Sequence, residues 1–404
     1  MRKFYDVANA NFVSSFIEFT KAFESPTSFW KWSAYGAIAA TLRYNCKYKW
    51  ATGELYPNLY ILLLADSAAY RKDAGPKLVA KLLKECAHTK VVQGRASWQG
   101  IVDELSQDKG NKKTGITIRG GAGLVIATEF TATFVADLSL IKLMTEGYEY
   151  EEEYDYILRG GQVKIKNRCI SILGGSNETL LRSFYTSEAI HGGLLRRTCL
   201  IKPDKKRPGN ALTEDDDYLK EDEIKILISQ LKEIQKLTGN FKLNVEAKTA
   251  YKEWYLDLYN NYDKFDDKTG FVQGIHSLVI KLAMILAANQ NTLEVSEQII
   301  TQAIKEVLAL KENYKVYAMG IGGNLQDNMK AILLSTLWQH SNNGTGLLKR
   351  RDILLKYWNE ISSDDLDKLL TELKSKDLIK MTLVGSEPAY GLTEVAKEAF
   401  LANK

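Results

Sequence analysis

The sequence predicts a mixed α/β chain, with a mostly parallel sheet at its centre, helical regions on either side and a small helix-and-hairpin unit at the end. Three observations predict it. Short apolar runs at 59–64, 124–127, 169–173 and 198–201 alternate with helical patterns. Strands buried on both faces of a sheet read this way, and their alternation with helices favours parallel pairing. Helical periodicity dominates before 57 and after 205, and only 6 of 404 residues are proline, which favours long helices. After Gly320-Ile321-Gly322-Gly323 the pattern changes to three short helices and a hairpin.

The elements follow in order. Residues 1–56 form a helical region, with apolar spacing in 12–23 and 29–42 divided at Ser25-Pro26-Thr27. Residues 57–205 form the α/β core. Its first strand is bounded by Pro57-Asn58 and Asp66 and leads into a helix at about 74–87. Residues 206–323 are helical again, with helices near 221–238, 245–263, 274–289 and 296–317. Residues 324–404 carry helices near 325–340, 347–359 and 362–377, strands at 378–384 and 389–392, and a closing helix from Thr393. Three helices and a two-stranded wing resemble a winged helix, and Ser362 is a good N-cap for the third helix.

Composition narrows the function. Hydrophobic residues make up 45% and charged residues 26%, ordinary for a globular protein and unlike a disordered or collagenous chain. The net charge of +4 allows a nucleic-acid surface only as a local patch. Cys46, Cys86, Cys169 and Cys199 are too scattered for a zinc site, as are the four histidines, and suit reduced cytosolic thiols. The polar breaks in 1–19 argue against a signal peptide. The longest apolar runs are too short to span a bilayer, so no membrane partner is expected.

One constellation carries chemistry. The first strand runs into Ala65-Asp66-Ser67-Ala68-Ala69-Tyr70-Arg71-Lys72-Asp73 and then a helix. Strand, loop, lysine and helix is the layout that wraps phosphates in backbone N–H groups and sets a lysine on the β/γ-phosphates. Against GxxxxGK[ST], Lys72 fits, while Asp66 and Arg71 replace the glycines and Asp73 replaces the Mg²⁺-ligating hydroxyl. Ser67, Arg71, Lys72 and Asp73 are the candidate phosphate-binding residues. The second strand ends in Thr128-Glu129, placing Glu129 to polarise water and, with Asp73, to hold Mg²⁺. The third ends in Gly174-Gly175-Ser176-Asn177, with Asn177 as a sensor of the terminal phosphate. Gly193 introduces Arg196-Arg197, which suit an arginine finger serving a neighbouring subunit. Taken singly, each has an ordinary explanation: a polar turn, a strand ending in an acid, a surface ion pair. Their order along the chain is that of an oligomeric P-loop ATPase.

Phe29-Trp30-Lys31-Trp32, Tyr56-Pro57-Asn58-Leu59-Tyr60-Ile61-Leu62-Leu63, the Ser67 to Lys72 loop, Glu129-Phe130, Gly175-Ser176-Asn177-Glu178, Gly193-Leu194-Leu195-Arg196-Arg197 and Lys281-Leu282-Ala283 together resemble the helicase-like P-loop ATPases of bacteriophages and mobile elements. These are primase-helicase-type proteins often described only as a domain of unknown function. The resemblance covers about 20–320. It implies a RecA/AAA-like core, ATP with Mg²⁺, and a ring, most simply a hexamer. It also implies helicase or translocase action on single-stranded DNA in replication or recombination, replication proteins as partners, and the cytoplasm of a bacterial host. It favours Arg197 over Arg196 as the finger. Asp73 and Thr128 depart from the usual Mg²⁺ contacts, which leaves open a non-hydrolysing DNA-binding or assembly scaffold.

Further features have two readings each. The run 146–156 holds six acids and four tyrosines and reads as a solvated loop or a partner-docking one. Lys164, Lys166 and Arg168 suit a channel loop tracking a DNA backbone, or an exposed hairpin; the stretch 109–121 is a similar basic candidate. Lys281 reads as a lysine snorkelling from an apolar helix, or as a cation reaching the nucleotide. In the last unit, Lys349, Arg350 and Arg351 are candidate DNA-backbone contacts, because Asp364, Asp365 and Asp367 would repel phosphate from the third helix.

Overall fold

The computed structural model describes the chain except for residues 1–10, 51–52, 67–69, 87–88, 94–97, 108, 111–116, 119, 131–137, 159–160, 185–192, 210–219, 266, 268, 319–324, 344–345, 359–360 and 403–404. It divides into two compact units, Met1–Lys315 and Val316–Lys404. The first three of the four expected regions therefore form a single unit, because the flanking helices cover the sheet rather than standing apart from it.

The elements of the first unit are α1 (Phe12–Phe19), α2 (Thr27–Leu42), β1 (Cys46–Trp50), β2 (Gly53–Leu55), β3 (Tyr60–Leu64), α3 (Ala74–Cys86), β4 (Lys90–Gln93), α4 (Trp98–Ser106), β5 (Ala122–Ala127), α5 (Leu138–Gly147), β6 (Glu151–Leu158), β7 (Gly161–Ser176), α6 (Glu178–Phe184), α7 (Leu194–Arg197), β8 (Thr198–Ile201), α8 (Glu221–Gln235), α9 (Val245–Asn260), α10 (Phe271–Ala288) and α11 (Glu297–Ala318). The central sheet runs β8-β3-β7-β5-β4, all parallel. The four expected strands are present. The edge strand β4 was not expected, since it carries only two apolar residues, Val91 and Val92.

Strands β3, β5 and β8 are buried along their whole length, as their unbroken apolar runs require. Helix α2 is buried along most of its length from Phe29 and lies on the sheet: a Cβ on Gly36 would stand 3.4 Å from Ile61 and 3.5 Å from Leu173. Helix α10 is apolar and long enough by composition to cross a bilayer, but it is mostly buried in this core.

The 16-residue β7 does two jobs. Residues 169–176 lie in the central sheet; residues 161–168 leave it to pair antiparallel with β6. The acidic run is thus largely a strand and not a loop. Its register sets Glu151 opposite Arg168, Glu153 opposite Lys166 and Asp155 opposite Lys164. Opposite charges across a strand pair stabilise it by a few tenths of a kcal/mol each, up to about 1 kcal/mol. In the second basic stretch, Lys109–Gly110 pairs antiparallel with Thr117–Ile118; 111–116 lie outside the described residues.

The second unit contains α12 (Leu325–Asn343), β9 (Leu348–Lys349), α13 (Arg350–Lys356), α14 (Ser363–Ser375), β10 (Ile379–Val384), β11 (Glu387–Leu392) and α15 (Glu394–Ala402). Its antiparallel sheet has the order β9-β11-β10. Leu333, Leu337, Leu366, Leu369, Leu370 and Leu373 form its core with Ile379 and Leu392. Ser362 caps α14, its hydroxyl accepting from the Asp365 amide. Arg350 binds Asp367 through both Nε and Nη2 at 2.7 Å and donates to Ser363. This bidentate pair holds α13 against α14. A double-mutant cycle of Arg350→Ala and Asp367→Ala, read by urea unfolding, should give a coupling of about 0.5–1 kcal/mol that shrinks in high salt.

Candidate functional site

In a parallel sheet the side chains that follow each strand gather at one edge, the carboxyl ends, and ligands bind where successive connections leave in opposite directions. Here β3 connects to β4 at the far edge, while β7 connects past β3 to β8. The switch point therefore lies between β3 and β7, and the Lys72 loop and Asn177 follow those two strands.

Lys72 is buried, only 6% exposed, with its ammonium 3.3 Å from the Glu129 carboxylate. Its stem crosses the sheet at Gly175. A Cβ there would come within 3.0 Å of Lys72 Cδ and 3.0 Å of the Thr128 carbonyl oxygen. Gly175 is thus the floor of a groove that admits the lysine, a role not read from the sequence. The readable signal was a glycine pair at the end of a buried strand. Lys72, Thr128 and Glu129 come together at this edge, and Asn177 follows Ser176 at the end of β7 there.

Arg71 stands where GxxxxGK has its second glycine, and its φ is +47°. The loop keeps the left-handed turn that the glycine would supply and pays for it in strain. An ion pair from Arg71 Nε to Glu24 at 3.1 Å fixes the side chain. Arg71→Val, β-branched at that φ, should cost about 1–2 kcal/mol, whereas Arg71→Gly should change stability by under about 1 kcal/mol; urea unfolding separates the two. Ser67 lies outside the described residues.

Asp73 and Asn177 are more committed than the sequence suggested. Asp73 pairs with Lys77 one turn along α3. Partial burial opposes its ionisation, but Lys77 outweighs this and holds the carboxyl below its usual range. Asn177 Oδ1 accepts from the Leu180 amide at 2.7 Å, capping α6. Its amide NH₂ is the group it can turn toward a ligand. Among the described residues no three His, Cys, Asp or Glu side chains gather to hold a metal.

Arg196 and Arg197 lie at the opposite edge. They immediately precede β8, whose first residue pairs with Tyr60 at the start of β3. A four-residue strand spans about 13 Å, which separates them from Lys72 of the same chain. Arg197 donates to the Gly193 carbonyl at 3.1 Å and to Glu149 at 3.4 Å. Arg196 lies along Gly274 of α10, where burial and then Arg197 lower its pKa.

Lys281 corrects both of its readings. It neither snorkels nor approaches Lys72. It is 2% exposed at the amino edge, donating to Asn58 Oδ1 at 2.8 Å, with its ammonium 3.9 Å from the centre of the Tyr148 ring. Asn58 completes the network through Nδ2, which donates to the carbonyls of Tyr148 and Ile170. Arg168 is a second correction. It is 2% exposed, bonded to the Glu146 carbonyl and Glu151, and covered by Tyr154, so it cannot reach a DNA backbone. Lys164 and Lys166 are exposed but oppose acids. Lys349 pairs with Glu387 at 2.9 Å and Arg350 with Asp367; Arg351 is exposed, and its charge also acts on Glu387. Compared with known proteins, the chain matches no family model and no curated sequence.

Proposed function

We propose that the chain is a P-loop-type ATPase of RecA/AAA-like architecture, working as a ring on single-stranded DNA. The observation that carries this reading is the pairing of buried Lys72 with exposed Glu129 over Gly175 at the switch point of a parallel sheet. The order β8-β3-β7-β5-β4 supports it, because it sets the Asn177 strand between the lysine strand and the acid strand. The second unit, with its helices and three-stranded sheet, is read as a winged helix.

ATP phosphates displace Glu129 from Lys72, which then neutralises the β/γ-phosphates. Glu129, 57% exposed in its side chain, polarises the attacking water. Water oxygen bonds to the γ-phosphorus while its proton passes to the Glu129 carboxylate and on to solvent, the bond to the β–γ bridging oxygen breaks, and ADP leaves with that electron pair. The chain offers two carboxylates beside Lys72, Asp73 and Glu129. That donor set suits Mg²⁺, which keeps water and phosphate among its ligands. Bound Mg²⁺ would neutralise phosphate charge. The Asn177 amide meets the γ-phosphate.

Arg197, immediately before β8 at the amino edge of the sheet, sits too far from its own Lys72 to serve it, which favours service to a neighbour across a ring interface. The Asp73–Lys77 pair favours the second reading, a scaffold that binds nucleotide or DNA without turnover. ATP hydrolysis with and without single-stranded DNA, in wild type, Lys72→Ala and Arg197→Ala, tests both. The motor reading expects DNA-stimulated turnover lost in each variant and partly restored on mixing the two. Turnover no higher than in Lys72→Ala, with DNA binding kept, overturns the motor and leaves the scaffold.

A further inference from the structure

An aromatic surface lies outside the site described above. Helix α9 carries Tyr251, Tyr255 and Tyr259 at four-residue spacing, with ring centroids 6.2 and 6.3 Å apart and interplanar angles of 14° and 27°. The row continues onto other elements. Tyr255 meets His276 of α10 edge-on at 5.9 Å, His276 stacks on Trp50 of β1 at 5.8 Å, and Trp50 meets Tyr48 at 6.1 Å. Tyr259 is 69% exposed, and Trp50, Tyr255 and His276 are partly exposed. Burial lowers the pKa of His276, so its ring stacks mainly as the neutral imidazole near pH 7.

Charge is segregated around the same helix. At 100° per residue, Lys248 and Lys252 fall on the face of Tyr255 and Tyr259, and both are exposed. Glu246, Glu253 and Asp257 fall on the opposite face. A protein core needs no lysines interleaved with exposed rings, and an acidic protein partner would need no row of flat faces. Rings spaced along a basic strip complement a polyanion whose own flat groups are free to stack, and duplex bases are not free in this sense.

We propose that the surface formed by Trp50, Tyr255, Tyr259 and His276, edged by Lys248 and Lys252, binds single-stranded nucleic acid by base stacking. The proposal deepens the DNA part of the reading above and rests on it only in the class of partner. It moves the main contact away from the hairpin lysines, which face acids.

The test is fluorescence anisotropy of labelled dT20, rU20 and a 20-base-pair duplex, without nucleotide. Both single strands are expected to bind more tightly than the duplex; the ratio of dT20 to rU20 distinguishes a DNA from an RNA ligand. Tyr259→Ala should weaken binding about 5- to 150-fold, the loss of one stacked base, while Tyr259→Phe keeps it. Lys248→Ala with Lys252→Ala should lower the slope of log affinity against log salt by about 1.4. Tyr259 is exposed, so folding is not at stake. Unchanged affinity in Tyr259→Ala and Trp50→Ala overturns the proposal, as does tighter duplex binding. A change in sedimentation of Tyr259→Ala with no change in affinity overturns it in favour of self-association. Lys72→Ala should bind these probes like wild type, so a failed ATPase assay and a failed stacking surface give separate results.

Discussion

Gly175→Val should remove nucleotide binding and cost about 2–3 kcal/mol of stability. The position is hemmed from two sides. A Cβ would meet Lys72 Cδ at 3.0 Å and the Thr128 carbonyl oxygen at 3.0 Å. The lysine stem can swing away, but only by leaving its groove. The carbonyl belongs to the turn that presents Glu129 and cannot move without displacing the acid. Valine therefore separates the two charged groups that define the site, and the affinity lost should be at least about 100-fold, the scale of a displaced charge-assisted contact of about 3 kcal/mol. Gly174→Ala is the control. Its Cβ would lie 2.4 Å from the Ala127 carbonyl oxygen, a backbone conflict inside the sheet that does not touch Lys72. It should lower the urea midpoint at least as much as Gly175→Val, yet leave affinity in the folded fraction within about threefold, since a conflict confined to the ladder acts on folding. Binding of a fluorescent ATP analogue, alongside unfolding followed by circular dichroism, reads both quantities. Wild-type affinity in Gly175→Val would remove Lys72 from the phosphate site.

The parts of this fold that were legible in the sequence are those where local pattern and tertiary place agree. Strands β3, β5 and β8 are unbroken apolar runs because both their faces are covered. Lys72 and Glu129 were readable as the residues that follow two such runs, and parallel pairing alone brings strand ends to one edge. What was not legible depends on register or on distant partners. Residues 151–158 look like a solvated acidic loop until β7 is laid beside them, when Glu151, Glu153 and Asp155 each find a base opposite. Arg168 looks like a DNA contact until that register turns it inward beneath Tyr154. No local rule spends Asn177 on a helix cap and a sensor position at once; the Leu180 amide decides the first. The edge that Arg197 occupies follows from β8 pairing with β3, a contact 138 residues apart at Thr198 and Tyr60. The tyrosine spacing of α9 was plainly in the sequence, but its extension to Trp50 and His276 is tertiary.

Lys281 supplies the second large effect, and it is a pH dependence. A lysine in a mostly apolar helix usually escapes to water along its own stem. Helix α10 leaves no such route, since 14 of its residues, from Phe271 to Ala288, are buried. The ammonium is held instead by Asn58 and the face of Tyr148. Those contacts return only part of its hydration. Burial lowers the pKa from 10.5 to about 8, with Glu149 and the Cys169 and Cys199 thiols opposing the shift and Arg197 adding to it. Below pH 8 both folded and unfolded chains carry the proton, and the folded state bears the full penalty. Between about 8 and 10.5 the unfolded chain holds a proton that the folded chain has released, so stability rises with pH. The four thiols work the other way: burial pushes each up to about 12, and their unfolded forms ionise first. Measuring wild type against Lys281→Met removes most of that opposing background. From pH 7.5 to 10.5 the wild type should gain about 3 kcal/mol on the variant in urea unfolding. A difference that stays flat across this range would mean that Lys281 is hydrated in solution and that the Asn58–Tyr148 network does not enclose it.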